Sequence, residues 1–277
     1  MKKELPPTPE PLPRPVVDSH CHLDTASHVT GLSPADAIAR AAEVNITRIV
    51  QIGCDVEDSR WAVQVAEEHP SVIATVALHP NVAARMTREE LSAALVELDG
   101  LAAQDRVRGV GETGLDYYRT REGEGQARQH ESFAAHISLA KAHGKTLVIH
   151  DRDAHDDILK VLDAEGVPER FVMHCFSGDA AFARECLDRG GYLSFPGPVT
   201  YKANEDLRDA LRITPADRVL VETDAPYLVP MPWRGSPNAS YLIPHTVRFM
   251  ADVRGEPVEE LCDALTGNAF AAFGGAW

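Results

Sequence analysis

His20 and His22 stand one residue apart at the close of an apolar opening, Val16-Val17-Asp18-Ser19. In extended backbone alternate side chains share a face, so both imidazoles point one way and Cys21 points the other. Two imidazoles delivered together at a strand end form a chelate for a divalent cation. Four more potential ligands, Glu112, His150, His174 and Asp224, each close or follow an apolar run of their own. Four imidazoles and two carboxylates suffice for two divalent ions if one carboxylate bridges them. Glu112 suits the bridge, having two oxygens and a run that falls between the first and the fifth–sixth pair. The expected arrangement puts one ion on His20, His22, Glu112 and Asp224, and the other on Glu112, His150 and His174. Two ions about 3.5–4 Å apart lower the pKa of a bound water and stabilise the attacking and leaving oxygens of a hydrolysis. Asp224 is also placed to take that water's proton as general base. Asp224 and Glu112 are therefore the candidate catalytic carboxylates.

Such a constellation needs elements that bring distant residues to one place. Short β-branched runs occupy residues 16–19, 46–52, 72–78, 107–111, 147–150, 171–174, 192–195 and 219–223. Between them, residues 35–44, 58–69, 88–98, 128–143, 154–165, 180–189 and 204–211 repeat their apolar positions at helical spacing. Residues 241–253 and 257–265 read as two closing helices. Asp58 and Thr87 are expected N-caps, and Gly100, Gly144 and Gly190 expected helix ends. Strands alternating with helices imply parallel βαβ units, and about eight of them in a chain of 277 residues imply an α/β fold, a single-domain (β/α)₈ TIM-type barrel. An open doubly wound sheet would carry a glycine-rich fingerprint after its first strand, where this chain has His-Cys-His. In the barrel, the candidate ligands gather where strands end and βα loops begin. Residues 1–15, with six prolines, read as a flexible tail, and residues 16–277 as the hydrolase barrel.

The formal charge is −15, which excludes broad nonspecific wrapping of nucleic acid but not a local site where metal ions meet a phosphate. Five cysteines with no C-x-x-C pair exclude a disulfide framework or zinc knuckle and point to a reducing cytoplasm. There is neither a bilayer-spanning run nor an apolar leader. A monomer or weak oligomer with no membrane partner is expected.

Around the expected mouth, His79 ends the third run and suits substrate contact or support of a ligand. Tyr117 and Tyr118 follow the Glu112 motif and could stack on an unpaired base, with at least one of them expected to pack under its loop. Arg152 and Arg234, the preferred cations among the loop residues Arg119, Arg121, Arg152, Lys202 and Arg234, suit phosphate through paired hydrogen bonds. His28, His69, His130, His136, His143, His155 and His245 fall in helical or loop stretches and read as surface or packing residues. Alternation turns the thiols of Cys21 and Cys175 into the wall.

Taken together, Val17-Asp18-Ser19-His20-Cys21-His22-Leu23-Asp24, Gly111-Glu112-Thr113-Gly114-Leu115-Asp116-Tyr117-Tyr118, His150-Asp151-Arg152-Asp153-Ala154, His174-Cys175-Phe176-Ser177-Gly178 and Glu222-Thr223-Asp224-Ala225-Pro226-Tyr227-Leu228 resemble the TatD family of metal-dependent deoxyribonucleases, within the amidohydrolase superfamily. Arg128-Gln129-His130-Glu131-Ser132-Phe133 and Arg234-Gly235 with Asn238 belong to the same resemblance, which covers residues 16–273. It implies a TIM-type barrel with two divalent ions (Mg²⁺, Mn²⁺ or Zn²⁺) on the six ligands named above. It also implies exo- or endonucleolytic hydrolysis of DNA phosphodiesters, in DNA repair and fragmentation. Single-stranded DNA or a frayed end fits the acidic surface better than a long duplex. Asn81 stands where many members have a second histidine, and Ser240 where many have proline. The same centre could instead act on a carbonyl, as an amidase, esterase or D-aminoacyl-tRNA deacylase. A metal-bound binding module using the proline-rich tail is a further alternative.

Overall fold

The β-branched runs pair, and the Ala-rich stretches between them coil. The computed structural model describes residues 4–277. Its strands are β1 (Val16–Cys21), β2 (Ile46–Ile52), β3 (Val72–Val76), β4 (Val107–Asp116), β5 (Thr146–Arg152), β6 (Phe171–Met173), β7 (Tyr192–Phe195) and β8 (Val219–Val221). They form one parallel sheet in chain order, as the βαβ rhythm predicts. The helices are α1 (Leu23–Thr30), α2 (Pro34–Ala42), α3 (Val56–Glu68), α4 (Pro80–Ala83), α5 (Arg88–Ala102), α6 (Glu124–His143), α7 (His155–Glu165), α8 (Ala180–Asp188), α9 (Glu205–Ile213), α10 (Ile243–Arg254) and α11 (Val258–Ala272). The whole is a (β/α)₈ TIM-type barrel. No described helix is long and apolar enough to cross a membrane.

The seam between β8 and β1 closes at the end where the candidate ligands lie. Asp224 N–H donates to His20 O at 3.0 Å, and His22 N–H to Ala225 O at 3.0 Å. Below them the buried Asp18 carboxylate accepts from Thr223 N–H at 3.0 Å and from Thr223 Oγ1 at 2.6 Å. Burial pushes the Asp18 carboxyl up to about 6. Its partners are therefore structural: they lock the last strand to the first.

Two apolar layers hold the barrel. Val17, Val50, Ile73, Val148 and Leu220 pack inside it with Ala269, Ala272 and Phe273 of the C-terminal helix region. A second layer lies between the strands and the outer helices. Sequence expectations for two caps are corrected. Asp55 caps α3, and Asp58 donates its N–H to that carboxylate. Gly100 lies inside α5, where open space surrounds its Cα, rather than at its end. Thr87 does cap α5, with the reciprocal Glu90 bond.

The expected flexible tail is corrected over its described part. Residues 4–15 lie against the barrel; residues 1–3 fall outside the described residues. Leu12 is buried in the core, its N–H donating to Val44 O at 3.2 Å and its carbonyl accepting from Asn45 Nδ2 at 2.5 Å. Tyr241 Oη donates to Pro6 O at 2.6 Å, and Arg40 lies over the Tyr241 ring at 4.0 Å. Proline stiffens the segment, but burial of Leu12 offsets the ordering of its neighbours.

Candidate metal centre

β4 carries Glu112 through a bulge. Val110 pairs with Leu147 but Thr113 with Ile149, so β4 spends one residue more than β5 over the same stretch. Glycine permits this. A Cβ on Gly111 (φ 155°) would lie 2.4 Å from Val148 Cβ, and one on Gly114 (φ 137°) 2.1 Å from His150 O. Both ladders continue to Asp116 and Arg152, so Glu112 and His150 lie within paired strands rather than beyond their ends.

The structure brings together all six predicted ligands. Glu112 Oε2 lies 3.5 Å from His20 Nε2 and 3.9 Å from His22 Nε2. Asp224 Oδ1 completes that side, 3.3 Å from His22 Nε2 and 3.8 Å from His20 Nε2. Glu112 Oε1 faces the other way, 2.6 Å from His150 Nδ1 and 3.1 Å from His174 Nε2. The two oxygens of one carboxylate thus address two groups of donors. His20 Nε2 and His22 Nε2 are 3.3 Å apart, and the His20 and His174 rings stack at 3.5 Å. His20 Nδ1 and His150 Nε2 are buried without a hydrogen-bond partner. Converging imidazoles, two carboxylates and orphaned ring nitrogens fit divalent cations.

The electrostatics agree. Burial works to raise the Glu112 carboxyl, but His174, His79 and His150 outweigh it and hold it well below the usual range. Burial likewise opposes ionisation of Asp224, and His22 and His174 outweigh it. Burial and the neighbouring His174 lower His20, keeping it neutral and free to ligate. For His174, burial is overcome by Glu222 and Glu112, which raise it well above its ordinary value. His150 is pushed up to about 9: burial lowers it, but the neighbouring Asp116 and Glu112 carboxylates prevail. The carboxylates of the cluster thus favour positive charge at its centre, as a cation site requires.

Other residues stand beside the six: His79, expected at a strand end, and Glu222 and Asp116, which were not singled out from the sequence. His79 joins the cluster with Nε2 3.4 Å from Glu112 Oε1, while its Nδ1 accepts from Asn81 N–H at 3.0 Å. Glu222, fully buried, accepts from Cys175 N–H at 2.9 Å and lies 3.0 Å from His174 Nδ1, fixing that ring. Asp116 lies 3.4 Å from His150 Nε2 and accepts from Asn81 Nδ2 at 2.8 Å. Their spacing to Asp224 and Glu112 in the Glu-x-Asp and Glu-Thr-Gly-Leu-Asp motifs was the available signal. Cys54, at the end of β2, lies 3.8 Å from His22 Nδ1.

The cluster floors an open cavity of about 820 Å³ whose lining includes Arg119, Arg152 and Tyr227. Arg152 lies over the half-exposed Tyr118 ring at 3.9 Å, with Arg119 at 5.9 Å. Tyr117 is corrected: its hydroxyl donates to Asp157 at 2.8 Å and lies 2.6 Å from His130 Nε2, anchoring the loop to α6 and α7 outside the cavity lining. Arg234 lies 4.8 Å over the Tyr201 ring, outside that lining. Cys21 is in the wall as alternation predicts. Cys175 is not: its φ of 46° breaks the alternation and its side chain lines the cavity.

A family model described as TatD related DNase matches residues 17–274. The chain is 43% identical over 265 residues to an uncharacterised metal-dependent hydrolase, TatD, of Mycobacterium tuberculosis, covering 95% of this chain and 99% of that one. It is 37% identical over 255 residues to the uncharacterised metal-dependent hydrolase YcfH of Escherichia coli, covering 91% and 93%. The crystal structure of the TatD homologue YjjV of Escherichia coli superposes with a TM-score of 0.85 at 25% identity, covering 94% of this chain and 98% of that one.

Proposed function

The chain belongs to the TatD-related DNase family of metal-dependent hydrolases, and on that premise we propose that it cleaves DNA phosphodiester bonds at single-stranded or frayed ends. Two divalent ions would be held by His20, His22, Glu112, His150, His174 and Asp224, with Glu112 spanning both. Such ions, when bound, lower the pKa of a water and stabilise charge developing on the attacked group. Mixed imidazole and carboxylate donors suit Zn²⁺ or Mn²⁺, with Mg²⁺ as the oxygen-preferring alternative.

The chain's own groups do the rest. Asp224, whose carboxylate faces the cavity beside His22, takes the proton of the attacking water. Glu222 and Asp116 hold the His174 and His150 rings in place. The observation that carries the DNA reading is Arg152, a guanidinium suited to phosphate that lines the cavity and is steadied over the ring of Tyr118, which itself lies outside that lining. The acidic surface and the cavity's own Asp58, Asp151 and Asp206 limit this to a strand end.

Those same carboxylates favour a second reading, a deacylase whose aminoacyl ester substrate brings its own ammonium group. The five free cysteines support action in a reducing cytoplasm, and we propose a monomer or weak oligomer there. The test is product analysis with each of Mg²⁺, Mn²⁺ and Zn²⁺ returned to apo-protein. End-labelled single-stranded DNA is assayed beside a panel of D-aminoacyl esters. Metal-dependent shortening of the DNA supports the nuclease; turnover confined to the esters overturns it in favour of the deacylase.

A further inference from the structure

Cys54 is fixed where β2 gives way to α3. Gly53 N–H donates to Thr75 O at 3.0 Å, and the Cys54 carbonyl accepts from His79 N–H at 2.8 Å. The next residue, Asp55, caps α3. With its backbone held by β3 and by the segment that follows it, the side chain reaches the cavity. Sγ lies 3.8 Å from His22 Nδ1 and 4.0 Å from Glu112 Oε2. The donor atoms of His22, Cys54 and Glu112 all lie within 4.8 Å of one another.

This is not the setting of a packing cysteine. Cys21, Cys186 and Cys262 are buried among apolar side chains. Cys54 instead meets one imidazole and one carboxylate of the metal centre, at distances too long for strong hydrogen bonds. Glu112 Oε2 is the oxygen turned toward His20 and His22 Nε2, while the thiol meets His22 at Nδ1 and with Glu112 Oε2 makes a donor group on that side of the cluster. Thiolate is a soft donor and selects ions differently from imidazole and carboxylate.

We propose that Cys54 is a further ligand of the metal centre, supplying a thiolate on the side of His22 and Glu112 and biasing it toward thiophilic ions such as Zn²⁺, Co²⁺ and Cd²⁺. The inference rests on the metal reading above. On loading, the S–H bond breaks, a sulfur–metal bond forms and the proton leaves through the open cavity to solvent; no electrons are exchanged.

The experiment is titration of full-length apo-protein with Co²⁺, read by absorption, for the wild type, Cys54→Ser, Cys54→Ala and Cys175→Ser. Visible ligand-field bands report that Co²⁺ is held; a near-ultraviolet thiolate-to-cobalt charge-transfer band reports sulfur ligation. The wild type and Cys175→Ser are expected to show both, and the Cys54 variants only the first. Cd²⁺ affinity should fall at least about tenfold in the Cys54 variants while Mg²⁺ affinity holds. Ligand-field bands without charge transfer in the wild type overturn the proposal and leave the metal reading standing. A charge-transfer band lost in Cys175→Ser but kept in the Cys54 variants also overturns it. Absence of every band in every protein overturns both readings.

Discussion

Replacing His136 by leucine should remove a pH-dependent share of this protein's stability. The His136 ring is fully buried between α6 and the end of β3. Its Nδ1–H donates to Ser132 O at 2.7 Å and its Nε2 accepts from Leu78 N–H at 3.1 Å. Acceptance requires the neutral ring, and burial holds its pKa down to about 4 against an ordinary 6.5. The folded state therefore binds this proton more weakly than the unfolded chain does. His136's contribution is complete above about pH 6.5 and drains away as pH falls toward 4. At 1.36 kcal/mol per unit, about 2 kcal/mol is gone by about pH 5. In His136→Leu the Leu78 N–H loses its acceptor, which costs about 1–3 kcal/mol at neutral pH, but the draining contribution is absent. The stability gap between the two proteins should thus shrink by about 2 kcal/mol from about pH 7.5 to about pH 5. Urea denaturation of both proteins in chelator at several pH values measures it. Asp18, raised to about 6 by burial, titrates alike in both and cancels. A gap that stays constant across that range refutes the reasoning. Leu78 precedes His79, so the same bond helps aim a side chain of the metal cluster.

Asp224→Asn should cut turnover on labelled single-stranded DNA at least about 100-fold without lowering the melting temperature, because asparagine accepts the left-handed φ of 52° at this position. Undiminished turnover would remove Asp224 from the proposed chemistry. Arg152→Ala should lower kcat/KM on DNA about tenfold, chiefly through KM, by dismantling the Tyr118 stack; an unchanged KM counts against a substrate role. Leu12→Ala should cost about 2–4 kcal/mol in urea denaturation, and a loss below about 0.5 kcal/mol would show that residues 4–15 are not part of the core. Chelation should abolish hydrolysis and Mn²⁺ restore it, measured on the same labelled strand; activity that survives exhaustive chelation contradicts a metal-dependent reaction.

The alternation of β-branched runs with Ala-rich stretches was legible because both periods are local, set by neighbours along the chain. Positions of His20, His22, Glu112, His150, His174 and Asp224 near the ends of their runs were legible for the same reason. The bulge in β4 was not, since it arises from the pairing of β4 with β5 across Gly111 and Gly114. That one of Tyr117 and Tyr118 packs under its loop was legible, but not that it is Tyr117, which depends on His130 and Asp157 arriving from two helices. The tail's composition suggested mobility, but composition carries no information about the slot beside Val44 and Tyr241 that receives it.

By itself, the sequence determined the number and order of the strands, the kind of chemistry at their ends and the six donors able to support it. Only the tertiary structure decided which oxygen of Glu112 faces which histidines, that Asp116 and Glu222 stand beside the donors, and that Cys54 reaches them. The reason is physical. A residue's type and its parity along a strand are fixed by covalent neighbours, whereas convergence across a closed barrel depends on the stagger and bulges of strands far apart in the chain.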